Sequence, residues 1–437
     1  MLLEKNKSID ARPKFILGGR NIMIHFHFGA GRLGLGLIGP AFAPVSRNFV
    51  LMNRDSSDSA RRDGDLISPF RRNILLNNSH AYLIEYLDSS SVTRERNEFI
   101  SYTEFVLYND TEIDTLALSF SEAISDERDV LITATLVKTE AYHSVVRFIN
   151  GISEKCPSSK IYLIACENDF DTSRIVTWFN KEFTRRDRLI PVNAVVDRIC
   201  VQLLEEYETL CVRCERYGLI TIEATKDTKK LEEYLSSCNL IRFTNYFYFE
   251  KQLKILIVNG GHLSIALAAF SEDYTELDVF LGDSNENHSW AFDVLKEIEI
   301  GAAQYLISTD VSVQSINNPN TVRAAALEDE YVRARAAEMA ESALTRFSQT
   351  KDKTVRILSR FRRPQPVDGQ IDNVQKFIDR LNSRIKPSID GYREAKKIQP
   401  ANLMDVIMIM LDLIGKGLFV DVDEARRLFP ENNRRRQ

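Results

Sequence analysis

The sequence predicts an α/β fold: an N-terminal Rossmann-type domain with a parallel sheet, followed by a mainly α-helical C-terminal domain. Short apolar runs alternate with helix-like stretches over residues 23–205, and a glycine-rich turn follows the first run. Long helical patterns dominate residues 206–437. Alternating strands and helices are typical of a parallel sheet that is covered on both faces. Residues 1–22 are interpreted as an N-terminal arm.

Five apolar runs are the predicted strands of the first domain: residues 22–28, 49–52, 129–134, 160–166 and 189–196. The helical period of the apolar residues in 140–154 predicts a helix that covers the sheet. Residues 54–115 are polar and predict either an irregular excursion or an extra hairpin.

In the second domain, one further strand is predicted at residues 219–223. Helical patterns follow at residues 251–270, 289–307, 328–347 and 403–415. The last of these ends at Gly415, a residue type that often terminates helices.

The composition is that of a globular protein. Hydrophobic residues make up 44% and charged residues 27% of the chain, which argues against an intrinsically disordered protein. The net charge of −5 gives no electrostatic reason for a nucleic-acid or membrane partner. No uninterrupted apolar run is long enough to span a bilayer, and the N-terminus lacks the apolar region of a secretory signal. We expect a cytoplasmic protein with a small-molecule partner; the sequence indicates no oligomeric state.

A turn of the form G-x-G-x-x-G follows the first predicted strand and consists of Gly29, Ala30, Gly31, Arg32, Leu33 and Gly34. In such a turn the first glycine allows the tight bend and the second lets the backbone approach a pyrophosphate. The third lets the helix pack closely on the strand, with its positive end facing the phosphates. Because a second strand follows at the expected distance, the turn predicts a dinucleotide site and an NAD(P)-dependent dehydrogenase.

The end of the second predicted strand bears on the choice between NAD and NADP, because an acidic residue there binds the ribose 2′-hydroxyl. Asn53 occupies the position expected for that acid, and Arg54 is placed to pair with a 2′-phosphate. Asp55 is the alternative ribose ligand if the register is shifted. The sequence leaves both cofactors open, with a slight lean towards NADP.

Two other polar patterns are interpreted as structural. His25 and His27 share one face of the first strand, but no carboxylate or cysteine completes a metal site with them, so we expect core residues. The six cysteines show no disulfide-framework spacing, and Cys211 with Cys214 lacks the second pair of a zinc ribbon. The expectation is therefore reduced thiols and no metal site.

A second candidate site lies in the first long apolar helix of the second domain. The pattern K-x4-N-x2-H consists of Lys254, Asn259 and His262, whose spacing lets the side chains converge in a helix. Three polar groups in an apolar segment require hydrogen-bond partners or a ligand. The spacing alone leaves an alternative, namely an exposed lysine and a polar kink at Gly260 and Gly261.

Five segments occur in the order of one known family: residues 27–39, residues 164–168, residues 196–199, the Lys254/Asn259/His262 pattern, and Arg360-Phe361 with Pro364 and residues 385–387. Together they resemble the long-chain polyol dehydrogenases, in particular mannitol-1-phosphate 5-dehydrogenase. The resemblance covers most of residues 23–420, with divergent sequence between the segments.

The resemblance implies a metal-independent hydride transfer with Lys254 as the general acid/base. It implies that Asn259 hydrogen-bonds the oxygen that gains negative charge, and that His262 orients the substrate hydroxyls or the lysine. Asn168 and Asp197, after the fourth and fifth strands, would position substrate and lysine. A lysine accepts an alcohol proton near neutral pH where burial or a cationic neighbour lowers its pKa.

Two departures from the family leave the substrate open. The segment 372–384 is shorter than the family's basic segment, and residues 305–345 contain an apparent insertion. The candidate phosphate partners are Lys376, Arg380, Arg384 and Lys386, and a solvated helix face is the alternative for the first three.

Three functions therefore stay open. The leading one interconverts mannitol 1-phosphate and fructose 6-phosphate, and the second acts on an unphosphorylated hexitol or a sugar acid, as in mannitol/fructose or mannonate/fructuronate. The third, from another class, is a non-catalytic NAD(P)-binding sensor or scaffold. A binding module has no need of Lys254, Asn259 and His262, so their presence counts against it.

Overall fold

The computed structural model describes residues 23–46, 48–55, 81–87, 98–124, 128–136, 139–167, 171–206, 209–309, 328–358, 379 and 381–415. These residues belong to two compact units. The first unit extends to Phe247 and the second begins at Tyr248, with Leu87 grouped in the second. The predicted arm at residues 1–22 lies outside the described residues.

The first unit contains most of the strands and several short helices. Its strands are β1 (Ile24–Phe28), β2 (Asn48–Arg54), β3 (Ala81–Leu87), β4 (Glu98–Ser101), β5 (Glu104–Tyr108), β6 (Val130–Ala134), β7 (Ile161–Ala165), β8 (Leu189–Pro191), β9 (Ala194–Asp197), β10 (Cys200–Glu206), β11 (Thr209–Glu215), β12 (Leu219–Glu223) and β13 (Ile241–Thr244). Its helices are α1 (Gly39–Phe42), α2 (Ile113–Ala123), α3 (Tyr142–Lys155), α4 (Thr172–Trp178) and α5 (Lys229–Leu235). A π-helical turn, Gly34–Ile38, leads directly into α1.

Six strands form one parallel sheet in the order β5-β2-β1-β6-β7-β8. Numbered along the chain within this sheet, the order is 3-2-1-4-5-6, the standard order of dinucleotide-binding sheets. The order reverses between β1 and β6, where Phe28 pairs with Ala134. Ligands bind such sheets beyond the carboxyl ends of the strands at this reversal. The predicted Rossmann-type parallel sheet is therefore confirmed.

Strand β1 shows why the sequence folds in this way. All five of its residues are buried, as a strand in a sheet covered on both faces requires. Phe26 faces one core, where its ring packs edge-on against Phe120 of α2 and Phe148 of α3. His25 and His27 alternate to the opposite face, as the period of a strand requires.

Two smaller sheets complete the first unit, in the orders β10-β11-β3-β4 and β13-β12-β9. β3 and β4 pair antiparallel, which agrees with the hairpin alternative for residues 54–115. The single strand predicted at 189–196 is two strands, because β8 pairs with β7 whereas β9 pairs with β12. Strands β10, β11 and β13 were not predicted.

The first unit extends beyond the domain boundary that the sequence suggested. Residues after 205 were expected in a mainly helical domain, whereas the contacts of the chain keep residues up to Phe247 in the first unit. The physical reason is strand pairing, since β11 pairs with β10, and β12 pairs with β9 and β13.

The second unit is mainly helical over its described residues. Its helices are α6 (Phe247–Leu253), α7 (Gly260–Ser271), α8 (Leu277–Asp283), α9 (Asn285–Ser308), α10 (Asp329–Gln349), α11 (Thr354–Leu358), α12 (Lys386–Lys396) and α13 (Ala401–Gly415), and a π-helical turn, Lys254–Asn259, joins α6 to α7. Each helix predicted in this part of the chain is present, with ends that differ by a few residues.

One helical segment, Phe247–Ser271, is long and apolar enough to cross a membrane by length and composition. Its mean hydropathy is 1.6, and 78% of the apolar window is buried inside the protein. The sequence did not suggest a span here because Lys254, Asn259 and His262 interrupt the apolar run. We interpret the segment as a core helix, since the core helix of a globular protein passes the same test.

Candidate functional site

The first glycine of the turn at the end of β1 is required by its backbone conformation. Gly29 has φ +115°, a region that side chains other than hydrogen rarely allow. A Cβ atom there would lie 2.6 Å from Thr135 Oγ1 and 2.7 Å from the Thr135 carbonyl oxygen. The turn is fixed on its other side by the Gly29 N–H, which donates to the Met52 carbonyl at 2.9 Å. Gly29 is therefore needed to form the turn.

The other two glycines meet different surroundings. A Cβ on Gly34 would lie 2.0 Å from the Gly29 carbonyl oxygen, so this glycine allows the helix to pack against the turn. A Cβ on Gly31 would have nothing within 4 Å. The space above Gly31 is thus open, as expected where a pyrophosphate approaches the backbone. Arg32 beside it is exposed and donates to the Val201 carbonyl at 3.1 Å.

A buried polar chain behind the sheet reaches the same turn. The Thr133 hydroxyl lies 2.7 Å from His25 Nε2 and 2.8 Å from His27 Nδ1, and His27 Nε2 lies 3.0 Å from the Gly29 carbonyl oxygen. A carbonyl only accepts, so His27 carries its proton on Nε2 and its Nδ1 accepts from Thr133. Both histidines are fully buried, which confirms that they are core residues. The link to Gly29 was not predicted, because Thr133 lies far from β1 in the chain.

Burial keeps both rings of this chain neutral. It places the pKa of His25 well below the usual value, with His27 as a second cause. Burial also lowers the pKa of His27 to about 4, against the smaller opposing effect of its backbone hydrogen bonds. Neutral rings allow the alternating donor and acceptor pattern that supports Gly29.

Asn53, expected near the ribose, instead caps the turn. Its Oδ1 accepts from the Ala30 N–H at 2.9 Å, and its Nδ2 donates to the Arg54 carbonyl at 3.0 Å. The Arg54 guanidinium forms an ion pair with Asp110, which follows β5. Both side chains that the sequence proposed for cofactor selection therefore have protein partners.

Asn168 and Asp197 were also predicted at the carboxyl ends of strands in the parallel sheet. Asp197 ends β9, which belongs to the small mixed sheet and not to the parallel one. Asn168 lies outside the described residues, but its neighbour Glu167 is described. The Glu167 carboxylate accepts from the Leu136 N–H and, at 3.2 Å, from the Tyr142 hydroxyl.

In the second unit, the π turn places two of the predicted catalytic residues on one helix face. Lys254 opens this turn and Asn259 closes it. In an α-helix, residues five apart lie about 140° apart around the axis. In a π turn, hydrogen bonds run from residue i to i+5, so the fifth residue lies close to one full turn away. The sequence assumed a helix of the usual pitch and could not foresee this.

Lys254 and Asn259 differ in their surroundings. Lys254 is only 7% exposed. Asn259 is half-buried, and its carboxamide makes no hydrogen bond within the described part of the chain. The carboxamide is therefore available to a ligand.

His262 is held between a carboxylate and an aromatic ring. Its Nε2 lies 3.3 Å from Oδ2 of Asp352, which is fully buried, and its ring stacks on Phe347 with centroids 4.9 Å apart. Sequence reasoning missed Asp352, since it lies 90 positions from His262 with no motif around it.

Two glycines between Asn259 and His262 explain how this helix packs. A Cβ on Gly260 would lie 2.7 Å from the Arg384 carbonyl oxygen, and one on Gly261 would lie 2.4 Å from Leu295 Cδ2 of α9. The pair therefore permits close packing inside the second unit, and both glycines continue the helix.

The candidate phosphate partners are only partly described. Lys376 and Arg380 lie outside the described residues. Lys386 starts α12, is 42% exposed and pairs with Asp390 one turn along at 2.5 Å. Arg384 is half-buried just before α12.

The described residues contain no group of three or more His, Cys, Asp or Glu side chains that would hold a metal ion. Cys211 and Cys214 lie on β11, where an odd spacing sends side chains to opposite faces. Cys211 Sγ lies 3.8 Å from a Glu85 carboxylate oxygen, whereas Cys214 Sγ lies 3.8 Å from the Gly36 carbonyl oxygen. The two thiols therefore do not converge on one ligand.

Neither a protein-family model nor a curated protein matches the chain. Several solved structures are similar to it over most of its length, including the following two. Mannitol 2-dehydrogenase from Pseudomonas fluorescens, in a ternary complex with NAD and D-mannitol, is 14% identical, with 90% of this chain and 79% of that chain covered and a TM-score of 0.55. A D-sorbitol dehydrogenase in substrate-free form is 13% identical, with 94% and 96% covered and a TM-score of 0.53.

This likeness is one of fold. It agrees with the predicted arrangement of a Rossmann-type sheet and a helical C-terminal part, and with the resemblance to polyol dehydrogenases at that level. The narrower resemblance to mannitol-1-phosphate 5-dehydrogenase is not confirmed.

Proposed function

We propose that the protein is a cytoplasmic oxidoreductase that transfers hydride between NAD(P)(H) and a polyol or ketose. The observation that supports this most is the Lys254–Asn259 π turn, which carries a buried lysine and an available carboxamide on one helix face. π turns occur frequently at functional sites. A sensor or scaffold would have no use for such a pair.

The residues of the first unit fit a dinucleotide. Gly31 leaves open space at the turn, and the π-helical turn Gly34–Ile38 that follows has no side-chain cap at its N-terminal end, where a helix favours a negatively charged phosphate. Arg32 is an exposed cation at the same place. A dinucleotide held by its pyrophosphate at this turn would supply a nicotinamide carbon that accepts or donates hydride.

The chain's own residues would handle the proton and the charge. In the oxidation direction the neutral Lys254 Nζ takes the proton of the substrate hydroxyl as hydride leaves the carbon that bears this hydroxyl. In the reduction direction the protonated Lys254 returns it. Asn259 Nδ2 donates a hydrogen bond to the oxygen on which negative charge develops. His262, held by Asp352 and Phe347, orients the substrate hydroxyls or the lysine.

The specific substrate pair we propose is mannitol 1-phosphate and fructose 6-phosphate. The resemblance of the five sequence segments supports it, and Lys386 is a half-exposed cation that a phosphate group would attract. A second candidate is an unphosphorylated hexitol. It is favoured by the fold neighbours, one a mannitol 2-dehydrogenase with bound D-mannitol and the other a D-sorbitol dehydrogenase.

A substrate panel tests both candidates. The full-length protein is mixed with NADH or NADPH and with fructose 6-phosphate, fructose or fructuronate, and the cofactor absorbance is followed. We expect turnover with fructose 6-phosphate. Turnover with fructose alone would favour the unphosphorylated candidate. Cofactor binding without turnover on any of these compounds, or on the matching polyols with NAD⁺ or NADP⁺, would contradict an enzyme and favour a sensor.

Replacement of Lys386 sharpens the choice. The Lys386→Ala variant is expected to raise KM for fructose 6-phosphate about fivefold and to leave KM for fructose unchanged, because an exposed cation contributes roughly 1 kcal/mol. The matched control is Lys396→Ala, at the exposed end of the same helix. Equal effects of both variants would contradict a phosphate contact at Lys386.

A further inference from the structure

The ends of β2 and β5 lie side by side next to the glycine turn. Arg54 at the end of β2 is in register with Tyr108 at the end of β5, and the N–H of Asp55 donates to the Tyr108 carbonyl at 2.7 Å. In a sheet of this order, the adenosine ribose lies at the end of the second strand. Side chains that follow β2 and β5 therefore surround the position of the 2′ substituent.

Arg54 is paired with the carboxylate of Asp110 at this place. Asp110 is itself held, because its Oδ1 accepts from the Ser144 hydroxyl at 2.8 Å and its carbonyl accepts from Arg147 Nη1 at 2.5 Å. Arg147 is fixed in turn by Asp114, whose Oδ1 accepts from Nε at 3.1 Å. Asp110 is thus an anchored anion, and the Arg54 side chain is oriented by it.

The charges at this edge disfavour a further anion. Among the described residues at the ends of β2 and β5, Arg54 contributes one positive charge, and Asp55 and Asp110 contribute two negative charges. A phosphate monoester brings a further charge of about −1.5 to −2. A ribose hydroxyl, by contrast, donates hydrogen bonds to carboxylates. The Asn53 Oδ1 atom already accepts a hydrogen bond from the Ala30 N–H, so one of its two lone pairs is used by the turn.

We infer that Asp110, through its ion pair with Arg54, excludes a 2′-phosphate and makes the site selective for NAD(H) over NADP(H). The inference rests on the proposed function only in that a dinucleotide binds at the glycine turn. It replaces the lean towards NADP, which assumed that the Arg54 guanidinium was available to a phosphate. The residue that usually distinguishes NAD from NADP lies at the end of β2, whereas Asp110 follows β5. No sequence motif around β2 therefore indicates Asp110.

Equilibrium binding of NADH and NADPH, followed by cofactor fluorescence, tests the inference on the full-length protein. The wild type is expected to bind NADH about tenfold more tightly than NADPH. Asp110→Asn removes the negative charge but keeps the shape, and is expected to improve NADPH binding about tenfold with NADH binding little changed. The matched control is Asp187→Asn, which removes an equal charge from an exposed ion pair with Arg185 just before β8 and is expected to leave the ratio of the two affinities within about twofold.

A second variant keeps the test decisive if Asp110→Asn does not fold. Arg54→Gln leaves Asp110 without its cation, and the discrimination against NADPH is expected to increase about fivefold. Tighter binding of NADPH by the wild type, or an affinity ratio that neither variant changes, would overturn the inference. Failure of the wild type to bind either nucleotide would overturn the proposed function, and the inference with it.

Discussion

Each unit carries a π turn at its candidate site, and the two turns differ in what they present. Gly34–Ile38 in the first unit consists of buried glycine and aliphatic residues, with no polar side chain. Lys254–Asn259 in the second unit begins with a buried lysine and ends with an asparagine. The first site is therefore made by backbone groups, whereas the second is made by side chains.

The difference extends to how each site is supported. The Gly29 turn is held by two hydrogen bonds of its own backbone. The Gly29 carbonyl accepts from His27 Nε2, and the Gly29 N–H donates to the Met52 carbonyl. In the second unit, the Asp352 carboxylate, 3.3 Å from Nε2, and the stacked Phe347 ring hold the His262 side chain. We therefore expect an added methyl group at the glycine turn to lower cofactor affinity, and removal of a side-chain functional group in the second unit to lower kcat.

The largest effect is expected from Lys254→Ala. Without its general acid/base, the enzyme should lose about 10²–10⁴-fold in kcat, because that is the typical contribution of positioned proton transfer. Cofactor affinity should remain, since the glycine turn is unchanged. Steady-state rates and a cofactor titration measure the two quantities separately.

The matched control for this variant is Lys251→Ala, which removes a lysine from the preceding helix α6. It should keep kcat within about threefold of the wild type, because the partly buried Lys251 has no part in the proposed proton transfer. Equal losses in the two lysine variants, or an intact rate in Lys254→Ala, would contradict the catalytic role of Lys254.

The glycine turn gives the reverse test. Gly31→Ala adds a methyl group that meets nothing within 4 Å, so the melting temperature should stay unchanged. The same methyl group would occupy the space proposed for the pyrophosphate, and cofactor affinity should fall about 10- to 100-fold. Calorimetry and a fluorescence titration measure both.

Gly29→Ala is the contrasting variant at the same turn. Its added Cβ would lie 2.6 Å from Thr135 Oγ1 at a φ of +115°, so we expect a loss of stability of about 2 kcal/mol or more. An unchanged cofactor affinity in Gly31→Ala would argue against nucleotide binding at this turn.

The comparison also shows what sequence reasoning can reach. Five of the six strands of the parallel sheet, the glycine turn and four long helices of the second unit were predicted, because each depends on local periodicity or local backbone geometry. Strand β5 was not predicted, since it lies in the polar stretch 54–115. β11 was missed, although Leu210, Val212 and Cys214 alternate into the core. Its seven residues were interpreted only as a C-x-x-C pattern, and a short strand leaves a weak periodic signal.

The parts of the sites that sequence did not reveal are long-range partners. Thr133, Asp110 and Asp352 each contact a residue that the sequence patterns singled out, yet none lies in a motif. Pairing of that kind is decided by which strands and helices become neighbours, and the sequence alone does not fix that. The π turn was also hidden, since K-x4-N-x2-H is compatible with an ordinary α-helix.

A smaller effect is expected from Asp352→Asn. The carboxylate fixes His262, so its loss should lower kcat about tenfold without abolishing activity. If Asp352 acts through His262, the double variant with His262→Ala should be no slower than His262→Ala alone. Additive losses would show an independent, structural role. The control is Glu250→Gln, which breaks the ion pair with Arg335 in the same unit and should lower stability while leaving kcat unchanged.

The last effect is on stability instead of activity and concerns the His25–Thr133–His27 chain and its response to acid. The pKa of His27 is about 4 in the folded protein, against 6.5 without burial. The unfolded chain therefore binds the extra proton between these values, so stability is fully present above pH 6.5 and declines as pH falls towards 4. The expected decline from this residue is about 1.4 kcal/mol for each pH unit.

Urea unfolding between pH 4.5 and 7 measures this slope. His27→Gln removes the titrating ring, so the slope of the free energy of unfolding against pH should fall by the equivalent of about one proton. Thr133→Val keeps both rings and should retain the slope of the wild type. Both variants lose hydrogen bonds and should be less stable at pH 7, so only the slope separates them. An equal slope in wild type and His27→Gln would mean that His27 is not held neutral. A protonated ring would still donate from Nε2 to the Gly29 carbonyl, but its Nδ1 would donate to Thr133 instead of accepting from it, and the alternating donor and acceptor pattern behind the turn would be wrong.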